Sequence, residues 1–454
     1  GKGIASASAG AVEISLAALH ISYCGDGVAH TYLASCLRSS ITVEGVSVGS
    51  CGRGLVFTGA RVDAQDHVNL QKVRVQGCIG NGIHVDHSME RSSSMWDPDM
   101  EIIQNGGDGI CFTPLMTDSV LFGCKRSLTT SSNGGHGINC SPVAVRSKVA
   151  FEFSAIRGVH HTSGAGLAFS GSYTNSSCDI IAHEAEEAFN QTGVRVNPVC
   201  ENARINVSLA GINANGNAMH GFQIAPTGTG VCNLRLERCS ASHNAAGAGA
   251  WGVFPADMAA SFQAVDCTFE NNAGAGMRTD GAVDVVARNC VYSNNMGSGL
   301  LGVTGPKEVS VIGCQFSTNA PHGFMFEAAG SGATSMGCFR VDSSVFRRSG
   351  VAGIMIASCR GGEIVRCTAT SGTIGVFLTG GATGVAIENC TVANNSGAGF
   401  SVAGSGNLLL RNNARANGSE PSASYAIAAG NTVGPVVTAA TIASNTNPHA
   451  NYAY

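Results

Sequence analysis

The sequence predicts an all-β fold, a single-stranded parallel β-helix of about fifteen coils with a C-terminal cap. Three observations carry that reading: one recurrent signature, its period, and the composition. The signature is a small or polar residue, a polar residue, Gly, then an apolar anchor, as in Gly54-Leu55, Gly82-Ile83 and Gly137-Ile138. The anchors Val28, Leu55, Ile83, Ile110, Ile138, Leu167, Val194, Phe222, Ala250 and Met277 follow one another at 27, 28, 27, 28, 29, 27, 28, 28 and 27 residues. Leu300, Phe324, Ile354, Val376 and Phe400 then follow at 23, 24, 30, 22 and 24, so the coils come in a long and a short class. A fixed period in this range is the mark of stacked repeats, because a single coil cannot bury its own apolar face. At roughly 4.8 Å per strand step the stack predicts a rod on the order of 70 Å.

Composition agrees. Only 12% of residues are charged, against roughly 25% in an average protein, and Gly numbers 61 against 11 Pro, which suits strands joined by tight glycine turns. A net charge of -4 supplies no basic face and excludes a nucleic-acid partner. No run approaches the roughly 18 apolar residues of a membrane span. The opening Gly-Lys-Gly lacks the shape of a signal peptide; an extracellular or cell-surface location is expected, with an export signal removed before this numbering begins.

Each coil reads as a strand, a tight bend, a second strand, an Asn-Gly turn, then the next anchor. The copies from Val265 to Met277 and from Val385 to Phe400 are the clearest. Asn pairs at 271–272, 294–295 and 394–395 fall at the turns, where Asn tolerates left-handed geometry and bonds neighbouring backbone. Cys267, Cys290, Cys314, Cys367 and Cys390 hold one position in successive coils, with Ser344 and Asn413 filling gaps. Two residues on, Phe269, Tyr292, Phe316, Phe346 and Val392 share their strand parity, so the cysteines point inward as a ladder of free buried thiols.

This repeat resembles the right-handed parallel β-helix of the pectin-lyase-like superfamily over roughly residues 20–415. The tail, from Tyr425 through Pro435 to Tyr452, resembles the ending of secreted bacterial β-helix proteins of unassigned activity. The boundary between helix and capping tail is drawn at 415/416. The cap is expected because a last coil exposes a strand edge and apolar core.

Candidate chemistry sits in the column two residues before the anchor. It opens Asp26, Arg53, Asn81, Asp108, His136 and continues Ala165 and Thr192, so five polar residues in succession stack into one strip. Residues one and three past the anchor, among them His84, Asp86, Asn139, Arg195 and Asn197, extend it into a polar groove suited to sugar hydroxyls. Extra residues in the long coils are expected to wall that groove. Trp96 lies in the ion-rich segment 84–99, read as a protruding loop on which Trp96 stacks a sugar or pins the loop.

The resemblance to polygalacturonase-type hydrolases implies roles for Gly135-His136-Gly137 and for Asp108. Gly107 and Asn81 stand where two further acids belong, no Arg-x-Lys follows, and an inverting mechanism needs a second carboxyl. For a lyase or epimerase the set is His136 as base and Arg53 as neutraliser of the sugar carboxylate, with Asn81 and Asp108 between them. No cofactor is expected, Ca²⁺ on Asp108 and Asn81 being the alternative. His183-Glu-Ala-Glu-Glu187 is read as charges on an exposed strand face rather than a metal site. The sequence thus points to a secreted or surface protein that recognises, and in one version cleaves, a polysaccharide. The alternative is a non-catalytic rod, spacer or adhesin. Monomer and trimer both stay open.

Overall fold

The computed structural model describes residues 1–124, 127–281, 283–303, 308–327, 338–418 and 421–454. It is a right-handed parallel β-helix of about fifteen turns; the helical segments among the described residues are two short 3-10 turns, Pro421–Ser424 and Ile442–Ser444. Contacts divide the chain into two compact units, Gly1–Leu234 with Asp257–Ala259, and Arg235–Ala256 with Ala260–Tyr454.

Within each unit the anchors pair in register, coil on coil. In the first, Val28 faces Leu55, Leu55 faces Ile83, Ile83 faces Ile110, and the ladder runs on through Ile138, Leu167 and Val194 to Phe222. In the second it runs from Ala250 through Met277, Leu300, Phe324, Ile354 and Val376 to Phe400. The helix begins earlier than its first sequence anchor. Lys2–Ala17 pairs along Asp26–Glu44 with Ile4 opposite Val28, so Gly3-Ile4 is one more copy. It also runs beyond 415: Tyr425 continues the anchor column opposite Phe400, and Asn451–Ala453 pairs with Asn413–Arg415. The Tyr425 hydroxyl donates to the Asn412 and Tyr452 carbonyls at 2.9 and 3.1 Å, tying the tail across that coil.

Coils turn at single left-handed residues. In the second unit a pair of such bends recurs from coil to coil, as at Asn289 (φ 53°) and Asn294 (φ 52°), each followed by an inward side chain, Cys290 and Asn295. Cys267, Cys290, Cys314, Cys367 and Cys390 are all buried and free, as the parity argument requires. The aromatic column beside them stacks, with ring centroids 5.3 Å apart for Phe269–Tyr292, 4.7 Å for Tyr292–Phe316 and 4.6 Å for Phe316–Phe346. The residue that follows Cys390 in this ladder is Asn412, not Asn413, since the Cys390 N–H donates to Asn412 Oδ1 at 3.0 Å. The asparagines form their own ladder: Asn295 Oδ1 accepts both the backbone N–H and the Nδ2 of Asn272, at 3.2 and 3.0 Å.

The long coils of the first unit add a third bend. In the Ile138 coil, strands Ile138–Cys140, Val143–Val145, Lys148–Ser154 and Ile156–Val159 are separated by left-handed Arg146 and Ala155, and His160 turns the chain toward the next anchor. The extra residues therefore build strand Val143–Val145 and its bend, and do not wall the polar strip as loops.

Segment 84–99 is likewise not a loop. It is made of parts of strands Ile83–Glu90 and Ser93–Ile103, each with strictly alternating burial, joined by a bend at Arg91 (φ 46°) and Ser92. Trp96 is 1% exposed and sits edge-on against Phe57 and Phe112, at 4.8 and 5.3 Å. Its Nε1–H donates to Ser94 Oγ at 2.8 Å, and Ser94 donates to Asp66 at 2.9 Å. Asp66 also pairs with Arg61 at 3.0 Å and accepts Ser39 at 2.6 Å, all inside the coil. A buried Asp needs those partners, and Trp96 is part of the wall that encloses them.

Candidate functional site

The polar strip exists, and its first use is to hold the coils together. Asn81 Oδ1 accepts the Asp108 N–H at 2.9 Å, Asp108 Oδ1 accepts the His136 N–H at 2.6 Å, and His136 Nδ1 accepts the Ala165 N–H at 2.7 Å. Asn81, Asp108 and His136 thus each cap a backbone N–H of the next coil that the anchor turn leaves without a strand partner.

What remains faces the outer surface. Asp108 Oδ2 accepts Asn139 Nδ2 at 2.9 Å, and Ser141 Oγ in turn donates to Asn139 Oδ1 at 2.8 Å. Cys111 lies beside this carboxylate; burial first, then Asp108, pushes its thiol up to about 12. Asn81 Nδ2 is 3.3 Å from His84 Nδ1, and His84 Nε2 is 4.0 Å from Asp86. Burial lowers the His84 pKa, and the nearby Arg53 charge adds to the fall.

His136 cannot serve as a base from this position. With Nδ1 accepting from backbone, a neutral imidazole carries its proton on Nε2 and offers a donor. Burial favours that neutral form, Asp108 pulling the pKa up against it and Arg195 adding to the decrease. Arg53 is not a free neutraliser either, since it forms a forked pair with Asp26 at 2.9 and 3.3 Å. Nor do Asp108 and Asn81 suit Ca²⁺, which takes six to eight oxygens: both Asp108 oxygens and Asn81 Oδ1 already accept hydrogen bonds. Among the described residues no group of three or more His, Cys, Asp or Glu could hold a metal.

Arg195 is the least satisfied charge on the face. It stands in the row of Asn139 and Ala168, and the methyl of Ala168 leaves room beside its side chain. It is half-buried, its Nε has no partner, and its one hydrogen bond is a long 3.5 Å donation to Gln191 Oε1. Burial lowers its pKa. Asn197 is exposed two residues on. Of the residues the sequence grouped, Asp108 bonds to both His136 and Asn139, Arg195 stands two coils beyond Asn139 in the same row, and Trp96 is turned inside. Glu187 also departs from expectation: it is 0% exposed, pointing into the coil with neither carboxylate oxygen hydrogen-bonded.

A right-handed parallel repeat whose strip side chains cap successive coils defines a β-helix. The chain belongs to the family described as the right handed beta helix region, whose model matches residues 173–340 and 303–448. A solved variant of the PL6 family alginate lyase AlyGC is similar over 95% of this chain and 97% of its own, at 9% identity and a TM-score of 0.18, a likeness that carries no argument about activity. No curated protein matches the sequence. Among the described residues no helix is long and apolar enough to cross a membrane.

Proposed function

We propose that the protein recognises an acidic polysaccharide on the anchor face of its first unit, Arg195 taking a sugar carboxylate. The observation that carries this reading is the Arg195 guanidinium, half-buried with an unpartnered Nε. A carboxylate is the ligand that completes such a fork. His136 Nε2–H, Asn139, Ser141 and Asn197 surround it with donors and acceptors for hydroxyls, and His84 and Asp86 continue the surface. The same reading takes the protein to act outside the cell or on its surface.

Binding of oligogalacturonate, oligomannuronate and neutral oligosaccharides tests this directly. Acidic chains should bind and Arg195→Ala should weaken them about tenfold or more, the loss of a charge-assisted contact. Equal binding by the variant, or no binding to any acidic chain, removes the proposal. Following unsaturated-product absorbance and reducing ends in the same samples tests for lyase or hydrolase turnover. A second reading, a non-catalytic structural rod, is favoured by the capping role of Asn81, Asp108 and His136, and predicts silence in every assay.

A further inference from the structure

The third bend of the long coils makes a second surface, away from the anchor strip. Its bend residues Asp118 (φ 48°), Arg146 (φ 47°), Asn175 (φ 48°) and Asn202 (φ 51°) stack coil on coil. Behind them runs a serine ladder: the Ser92 N–H donates to Ser119 Oγ, Ser119 N–H to Ser147 Oγ, and Ser147 N–H to Ser176 Oγ, at 3.1, 3.1 and 3.0 Å. These hydroxyls turn back onto carbonyls of their own bends, so they form a fixed and saturated floor. Above it opens a solvent-facing groove of about 690 Å³, within the range of built ligand sites.

The two lips differ in charge. On one, Arg146 holds Asp118 through two bonds at 2.8 and 2.7 Å, and Asn202 donates to Asn175 at 2.8 Å, so this lip is neutral and self-paired. On the other, Val120, Lys148, Ser177 and Arg204 stand in strict register. Lys148 and Arg204 are exposed, and among the described residues neither has an ion pair. They are two strand steps apart, about 10 Å at ~4.8 Å per step. In an extended 1,4-linked uronate chain, carboxylates on one side recur at every second sugar, a repeat of the same order. A nucleic acid fits worse: a duplex carries one charge per ~1.7 Å, far denser than two cations over that span.

We propose that this corner groove is a second binding site, distinct from the Arg195 face. It holds a linear polyuronate whose alternate carboxylates meet Lys148 and Arg204, while Ser177, Asn175 and Asn202 take sugar hydroxyls.

Calorimetric titration with a long oligogalacturonate tests it, on wild type, Arg195→Ala, Lys148→Glu/Arg204→Glu, and the triple variant. Both reversed residues are exposed, and an unchanged thermal midpoint confirms intact folding. With both sites real, wild type takes up two chains, Arg195→Ala and the double reversal one each, and the triple variant none. The groove affinity should fall as salt rises and be absent for a neutral oligosaccharide. The groove proposal is overturned if the double reversal leaves stoichiometry and affinity unchanged, if Arg195→Ala abolishes all uptake, or if single-stranded DNA binds the groove more tightly than the uronate. Uptake that survives Arg195→Ala unchanged and vanishes in the double reversal supports the groove and removes the Arg195 reading instead.

Discussion

His136 Nδ1 accepts the backbone N–H of Ala165, one coil further along, at 2.7 Å. The imidazole is therefore a cap between coils before it is anything else. His136→Ala leaves that N–H without a partner at a half-buried turn and should cost about 1–3 kcal/mol. His136→Asn offers a side-chain oxygen in the way Asn81 does for Asp108, and should recover most of the loss. Urea unfolding of the three proteins checks this; an Ala variant with an unshifted midpoint refutes the capping role.

Trp96 gives a second contrast between surface and interior. Its ring fills the space between Phe57 and Phe112 and its N–H steadies Ser94 above Asp66. Trp96→Ala should destabilise by about 3–5 kcal/mol through the cavity it leaves. Trp96→Phe should cost less and leave uronate affinity at the wild-type value. A folded Trp96→Phe variant that loses sugar binding would return Trp96 to the ligand surface.

The anchor column was legible because an apolar residue after Gly at each coil start answers to one physical demand, and the registers from Val28 to Phe222 and from Ala250 to Phe400 follow it. Gly3-Ile4 escaped because Lys2–Ala17 is rich in Ala and Ser and shows little polarity contrast. The inward turn of Trp96 was concealed by its ionic neighbours: His87 and Ser94 are buried with it, so charge density misrepresented a strand whose alternation was regular. Asp108, His136 and Asn139 could be placed together from spacing, whereas their hydrogen-bond directions could not, and those directions decide that His136 donates. The serine ladder at 92, 119, 147 and 176 repeats with the anchor period and was available in the sequence; what hid it is that Ser is common on any exposed turn.

Thiol chemistry follows from the ladders. Burial pushes the Cys232 thiol up to about 12 and Cys140 well above its ordinary value, so neither supplies thiolate in the fold. Cys338 is exposed and Cys24 partly so. In native protein, an aromatic disulfide reagent should modify Cys338 rapidly and Cys24 slowly, and reach the interior ladder only after unfolding. Peptide mapping of the modified sites reads this out, and rapid native labelling of Cys267 or Cys290 would contradict the closed interior.

The interior of the first unit also contributes to the pH dependence of stability, and Glu187 and His161 act there in opposite directions. Glu187 is fully enclosed, and burial, with Glu186 adding, raises its pKa well above 4.5. His161 replaces Asn in the turn ladder, its Nδ1 accepting the Asn133 N–H at 3.3 Å, and burial lowers it to about 4. Above pH 4.5 the unfolded chain releases the Glu187 proton that the fold retains, so stability falls as pH rises toward the folded value, at ~1.4 kcal/mol per unit. Below pH 6.5 the unfolded chain takes up a His161 proton that the fold refuses until about 4, so stability falls as pH falls through that window. Glu187→Gln, which cannot ionise, should gain on wild type progressively above pH 4.5. His161→Asn, which restores the ladder residue, should gain progressively below pH 6.5, up to about 3 kcal/mol near pH 4. Urea unfolding of each variant against wild type across the pH range reads each group, because titrations uncoupled from it cancel in the difference. A difference that stays flat with pH means the side chain titrates in the fold as it does in the open chain, and its enclosure fails as the cause.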